Sequence, residues 1–348
     1  MSPQLRVVQW ATGNIGSRSL RQVVEHPDLE LAGVYVTETG GKAGGDAAGL
    51  CGLPEKTGVV ATCDIDEILA LKPDCVLYMP AACDIGQVAR ILESGANIVT
   101  TRGEFHHPAS MPGQDRERIQ RACEQGGTSI HSTGSSPGFI SEALPIVLTS
   151  IQRRLDTLTI NEYADLSKRD SPDMLFNLMG FGVRPEDFDT RRFAYGAVAF
   201  GPSLRLTAEA LGLPLDDVTS DGEVAVAREN ITIAAGTIEK GTVAAQRMTV
   251  TGTRGSQPLL RFHATWYCSA DIEPAWGVRE NGWNLTVAGD APLDIDIRFP
   301  FPAERMAEMT PGYTANRAVN AVPCVCAAPP GIRTTADLPQ VIARLARP

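Results

Sequence analysis

In TTRGEFHH, residues 100–107, a carboxylate and two imidazoles stand close together, just after a glycine that lets the backbone turn sharply. Each residue type points to its own chemistry. A carboxylate stabilises a cation such as an iminium and accepts a proton from an amine or ammonium, which is what C–N redox chemistry needs. A carbonyl reductase needs the opposite, an acid that protonates an oxyanion, usually Tyr, Lys or His. No Y-x-x-x-K set is placed for that work in this chain. Glu104 is the first candidate, with His106 and His107 as the alternative working groups. The two histidines are adjacent and therefore poorly placed to chelate one ion, so no metal site is expected.

A second stretch, VVQWATGNIGSRSL (7–20), passes from an apolar run through Ala11, Thr12, Gly13, Asn14, Ile15 and Gly16 straight into a helical pattern. Small residues between a strand and a helix start let a pyrophosphate lie against backbone N–H groups at the positive helix end. Gly16 allows the helix and strand to pack closely. Position 11 is Ala where the dinucleotide fingerprint has Gly. The end of the second strand decides which dinucleotide is bound. Thr37 stands where NAD-preferring sites usually carry an acid, with Glu38 next and Lys42 beyond. A hydroxyl and a lysine could receive a 2′-phosphate, and Glu38 could instead bind the ribose diol. The expectation is NADP, with NAD possible.

These residues need a scaffold, and the hydrophobic pattern supplies one. RVVQWA (6–11), LELAGVYVT (29–37), DCVLYMPA (74–81), NIVTTRGE (97–104) and TSIHSTGSSPGF (128–139) read as strands. SRSLRQVVEH (17–26), DIDEILAL (64–71), DIGQVARILESG (84–95) and PGQDRERIQRACEQGG (112–127) read as the helices between them. The stretch TGGKAGGDAAGLCGLP (39–54) is too glycine-rich for a regular element. Alternation over some 140 residues predicts a parallel sheet covered on both faces. Ligands of such sheets bind beyond the carboxyl ends of the strands. Met79, Pro80 and Ala81 are then expected to cover the cofactor near its nicotinamide ribose, with Thr101 and Glu104 on the next loop.

After Phe139 the rhythm changes. LDTLTINEYAD, ENITIAAGTIEKGTVAAQRMTVTGTRG, LLRFHATWYC and NGWNLTVAGDAPLDIDIRFP are rich in alternating β patterns, and predict an antiparallel or mixed sheet. TANRAVNAVPCVCAAP and DLPQVIARLA return to helical patterns. The fold class is α/β: an N-terminal Rossmann dinucleotide-binding domain (1–140) with a second α+β domain on an open mixed sheet (141–312). Helices of 313–348 return to the first domain. The segment ISEALPIVLTSIQRRL (140–155) reads as the connecting helix.

Composition bounds the partners. The 348 residues carry a formal charge of −10, which argues against nucleic acid or an anionic membrane surface. There is no apolar run of membrane-spanning length, and the start MSPQLR is no signal peptide, so the cytoplasm is expected. The eight cysteines form no C-x-x-C pair and read as reduced, mostly buried thiols.

Five separated motifs carry a resemblance: GNIGSRSLRQVVEHPDLELAGVYV, GKAGGDAAGL, HSTGSSPGFISEALP, FGVRPEDF and NAVPCVCAAPPGIRTTADLP. Together they resemble the dihydrodipicolinate-reductase-like enzymes, in particular the 2,4-diaminopentanoate dehydrogenase and native amine dehydrogenase branch. The resemblance implies NAD(P)H-dependent reductive amination of a small ketone or aldehyde with ammonia, the reverse deamination, and a homodimer. It implies Glu104 as the acid/base and Asn320 near the nicotinamide. The long dihydrodipicolinate reductase signature is absent; FHHPASMPGQD keeps only its two histidines. Ser136 stands where the diaminopentanoate enzymes have Asn, which fits a less polar carbonyl. Phe139, Tyr163, Phe176 and Trp266 could line such a pocket. The alternatives are an imine reductase of the dihydrodipicolinate reductase type and a non-catalytic NADP-binding sensor.

Overall fold

The computed structural model describes residues 4–344, which divide into two compact units, 4–139 with 310–344, and 140–309. The first unit begins with alternating strands and helices. Its strands are β1 (Leu5–Trp10), β2 (Leu29–Tyr35), β3 (Ala61–Thr62), β4 (Cys75–Tyr78), β5 (Asn97–Thr100) and β6 (Ser129–Ser132). Its helices are α1 (Asn14–Glu25), α2 (Ala47–Cys51), α3 (Ile65–Ala70), α4 (Ile85–Glu93) and α5 (Gly113–Gly126). The strand Gly331–Arg333 joins them, and the sheet runs Gly331–Arg333, β6, β5, β4, β1, β2, β3, every pair parallel. Alternate residues of each strand feed two cores. Val8, Trp10, Val76, Tyr78 and Ile98 pack toward α4 and α5; Val7, Cys75, Leu77 and Val99 pack toward Ala318, Val319 and Val322.

Local chemistry sets the helix ends. Asp84 Oδ1 accepts the N–H groups of Gly86 and Gln87 at the start of α4. Gly127, at φ 66°, ends α5 in the left-handed conformation. A Cβ on Gly126 would lie 1.9 Å from Leu92 O, so only glycine lets α5 approach α4 this closely.

The second unit carries a seven-stranded mixed sheet. Its strands are β7 (Leu155–Asp165), β8 (Asp217–Ala227), β9 (Ile231–Ile233), β10 (Gly236–Ile238), β11 (Val243–Arg254), β12 (Gln257–Tyr267), β13 (Ile272–Glu273), β14 (Gly282–Gly289) and β15 (Leu293–Arg298). β9 and β10 form a separate hairpin, and the main order is β13, β8, β11, β12, β7, β14, β15. Only β12–β7 is parallel, so the sheet is open and mixed. α6 (Leu144–Leu148) precedes β7, and α7 (Tyr195–Ala210) covers one face, where Phe200 stacks on Phe262 with centroids 4.1 Å apart. The helix α8 (Met306–Cys326) then leads to β16, the strand Gly331–Arg333 named above.

Four readings of the sequence need correction. Strand β5 ends at Thr100, and the chain turns at Gly103–Phe105 rather than running extended to Glu104. Strand β6 stops at Ser132, because a cis Ser136–Pro137 bond and left-handed Gly138 (φ 120°) bend the following loop. The glycine-rich segment does contain a helix, α2, capped by Asp46, which accepts the Ala48 N–H at 2.9 Å. DLPQVIARLA is not helical over its described residues, 337–344. Asp337 Oδ2 takes the Thr334 N–H and hydroxyl in a turn, and Pro339 disfavours helix at Leu338. Leu338 and Val341 pack instead against the core beside Val7 and Val99. Of the cysteines, Cys75, Cys123 and Cys268 are buried, while the other five are half-buried; all are free.

Candidate active site

Strand β1 has β4 on one side and β2 on the other, so the connections leave it in opposite directions and a crevice opens past its carboxyl end. The Ala11–Gly16 turn lies there. Ala11 holds a left-handed φ of 69°, a conformation that L-residues avoid and that the fingerprint glycine would adopt freely. Two contacts fix it. Gln9 Nε2, fully buried, donates to Ala11 O at 2.9 Å, and Gly16 presents no Cβ where one would stand 2.1 Å from that same oxygen.

The turn fits a dinucleotide's pyrophosphate. A Cβ built on Gly13 meets no protein atom within 4 Å, so the space over the turn is open. Helix α1 has no side-chain cap and no acid in its first turn, which leaves its leading N–H groups for an anion. Lys42 Nζ donates to Thr12 O at 2.7 Å and lies 3.2 Å from Thr12 Oγ1, so the loop after β2 brings a cation back onto the turn. Arg18 adds a second, donating to Asn14 O and Asn14 Oδ1 at 2.7 and 2.6 Å. Two cations at a helix N-terminus oppose the helix dipole unless an anion joins them. Thr37 and Glu38 are exposed beside this site.

The next two loops approach from β4 and β5. The Met79 side chain is 7% exposed and belongs to the core, so its backbone, with Pro80 and exposed Ala81, is what the loop offers a ligand. Thr101 is half-buried, and Glu104 sits in a single tight turn after β5 with its side chain 39% exposed. Arg102 Nη2 lies 2.7 Å from Glu104 Oε1, while Arg102 Nη1 donates to Ala81 O at 2.7 Å. Burial pushes the nearby Cys83 thiol up to about 12, with Glu104 adding to the rise and Arg102 opposing it. His106 and His107 are 2% and 4% exposed, and His107 Nδ1 contacts Ser110 Oγ at 2.6 Å. Both rings are buried behind the turn on which the part-exposed Glu104 carboxylate stands.

The loop after β6 completes the rim of the first unit. Thr133 N donates to Thr100 O at 2.9 Å, which joins this loop to the foot of the Glu104 turn. The hydroxyls of Thr133 and Ser136 are buried and have no hydrogen-bond partner among the described residues. Arg317 of α8 lies over the Phe139 ring at 6.0 Å, and Asn320 is half-buried one turn further along. The other aromatic candidates belong to the second unit, where they divide. Tyr163 pairs with Thr265, while Trp266 pairs with Ala164 and Gln246, so Tyr163 and Trp266 point to opposite faces of the sheet. Gln246 Nε2 donates to Met179 O at 2.7 Å, which puts the Asp173–Met179 segment and its Phe176 on the Trp266 face. Tyr163 lines a different cavity, about 410 Å³, with Arg279, Asn284 and Asp296 among its walls. One pocket therefore does not hold all three aromatics.

Two residues escaped the sequence reading, Gln9 and Arg102. Gln9 is a polar residue inside an apolar strand, and Arg102 stands two residues before Glu104. Both signals were present.

Comparison with known proteins decides the family. The 2,4-diaminopentanoate dehydrogenase C-terminal domain matches residues 139–347, more than half of the chain. The chain belongs to the 2,4-diaminopentanoate dehydrogenase family. It is 27% identical over 359 aligned residues to an amine dehydrogenase of Streptomyces virginiae, covering 99% of each chain. It is 24% identical to the 2,4-diaminopentanoate dehydrogenase of Acetoanaerobium sticklandii, over 72% of this chain and 68% of that one. The solved amine dehydrogenase of Mycobacterium smegmatis superposes with a TM-score of 0.76 over 99% of this chain and 98% of its own, at 21% identity, which shows the shared fold. Family membership makes the chain an oxidoreductase with a Rossmann-type first unit and a second unit on a mixed sheet.

Proposed function

We propose that the chain is an NAD(P)-dependent amine dehydrogenase that aminates a small ketone or aldehyde with ammonia and runs the reverse deamination. The observation that carries this is a part-exposed carboxylate, Glu104, on the rim that also bears the glycine turn. The amine dehydrogenase relative, alike over 99% of each chain, supports the same reading.

When bound, the reduced nicotinamide supplies the hydride. The rest falls to the protein. The Gln9-braced turn and α1 hold the pyrophosphate, and the Met79–Ala81 loop and Asn320 face the nicotinamide half. Glu104 takes a proton from ammonium, which frees ammonia to attack the carbonyl. It then returns that proton to the departing hydroxyl as water leaves, and the negative charge it regains stabilises the iminium formed in that step. Ser136, in place of an amide side chain, and Phe139 make the loop after β6 suited to a weakly polar carbonyl.

The cofactor assigned is NADP, because Lys42 reaches the turn from the loop that would meet a 2′-phosphate; NAD binding remains compatible with Glu38. The working species assigned is a homodimer. Half-buried Thr159, Asn161, Thr249 and Thr251 on the second sheet's uncovered face offer a second copy a polar surface. The assigned compartment is the cytoplasm, which eight free thiols favour. No helix among the described residues is long and apolar enough to cross a membrane. We assign dinucleotide binding to the first unit, and substrate binding and dimerisation to the second.

The deciding experiment measures ammonium-dependent NADPH consumption by wild type and Glu104→Gln with a panel of carbonyls. The glutamine keeps the shape and removes the proton transfer, so kcat for amination falls about 10²–10⁴-fold with cofactor binding intact. Retention of most amination activity by Glu104→Gln would sink the assignment.

A further inference from the structure

Arg102 uses two different nitrogens on two different strand ends. Nη2 lies 2.7 Å from Glu104 Oε1 beyond β5, and Nη1 donates to Ala81 O at 2.7 Å beyond β4. Its own backbone is held as firmly. The Arg102 N–H donates to Thr100 Oγ1 at 3.1 Å, that hydroxyl donates to Tyr78 O at 2.6 Å, and Ser132 Oγ donates to Arg102 O. Three adjacent parallel strands, β4, β5 and β6, thus fix one residue. An exposed ion pair contributes little. This guanidinium is only 29% exposed, and the neighbouring Cys83 thiol is pushed up to about 12 by burial, so the surroundings are partly dry. A planar fork with separated donors holds two acceptors in set directions; a lysine ammonium, a single point, does not.

We propose that Arg102 is a positioning residue that ties the Glu104 carboxylate to the Ala81 carbonyl, keeping the acid/base at a set distance from the loop facing the nicotinamide. The tie engages Oε1 and leaves Oε2 to carry the proton. This rests on the reading of Glu104 as the acid/base. A carboxylate on an exposed turn would otherwise sample several rotamers, and misplacement of a reacting group by about 1 Å costs about 10²-fold in rate.

The test is a double-mutant cycle on the full chain. Arg102→Met lowers kcat for ammonium-dependent NADPH consumption about 10–100-fold. The dissociation constant for NADPH, read by nucleotide fluorescence without turnover, moves less than about threefold, since the glycine turn is a separate site. In the Glu104→Gln background, Arg102→Met costs nothing further, because there is no carboxylate left to position. Arg102→Lys recovers part of the loss, one acceptor being held instead of two. Thermal melts of all variants confirm folding, and the lysine variant keeps the test open if the methionine variant is unstable. Equal losses in both backgrounds, or full activity of Arg102→Met, would overturn the proposal. Activity retained by Glu104→Gln alone identifies the failure as that of the acid/base reading, and the proposal falls with it.

Discussion

The two sheets solve the same burial problem in opposite ways. The first is parallel throughout and packs both faces into apolar cores, and the turns after β1, β4, β5 and β6 gather at one end of its strands. The second is mixed and covers one face with α7, while Thr157, Thr159 and Asn161 of β7 and Thr249 and Thr251 of β11 stay half-buried on the other. The parallel sheet concentrates chemistry in an edge-on rim; the mixed sheet spreads a surface. Substitutions should divide accordingly: interior changes in the second sheet register as stability, and rim changes in the first register as binding.

The largest effect sharpens the first half of that division. Phe262 is fully buried and stacks on Phe200, so Phe262→Ala costs about 3–5 kcal/mol of unfolding free energy, read by urea titration. Gly13→Val tests the other half. Its side chain enters space that no protein atom fills, so the melting temperature holds while NADPH affinity falls about 10–100-fold. Unchanged affinity in a folded Gly13→Val protein would break the comparison. A smaller effect separates the two dinucleotides: Lys42→Ala weakens NADPH about tenfold more than NADH, the scale of one charged hydrogen bond to a phosphate. Equal losses would make Lys42 a brace for Thr12 only. The smallest effect has the opposite sign. Ala11→Gly relieves a left-handed alanine and raises stability by about 1 kcal/mol or less, after the entropy cost of glycine; a fall would mean that Gln9 does not hold this turn.

The rim was legible in the sequence because short-range sterics write it. Gly16 must be small because a Cβ there would meet Ala11 O, Gly13 marks the open side of the same turn, and Glu104 follows a recognisable strand. Its partner was nearly legible as well: Arg102 and Glu104 are two residues apart, a spacing that shares a face in an extended chain, and they still meet once the chain turns. The pocket was not. Whether Tyr163 and Trp266 face together depends on the register between residues 155–165 and 257–267, which no local pattern encodes. The helix α7 escaped because Gly196, Gly201 and Pro202 interrupt its apolar stripe, while tertiary packing on β8 and β11 holds it. The terminal segment misled for the converse reason. DLPQVIARLA carries a helical pattern of apolar residues, yet Leu338 and Val341 meet a ready-made core without forming a helix.

The first unit is sewn shut by residues 325–333. Ser129 Oγ donates to Val325 O, Gly331 N donates to Thr128 O, and the His131 ring contacts Arg333 O at 2.8 Å. Nearly 200 residues separate Ser132 from Gly331, and the whole second unit is synthesised between them. At ribosomal speeds that interval lasts roughly 10–40 s. For that time Val7, Leu77 and Val99 lack the helix that covers them, and β6 is a free edge. The inserted unit, continuous in sequence, is free to fold first, and the parallel sheet is completed afterwards. A nascent chain therefore closes this sheet only after residues 331–333 have left the exit tunnel, and a chaperone that shields the β6 edge would act on a part of the molecule made about 200 residues earlier.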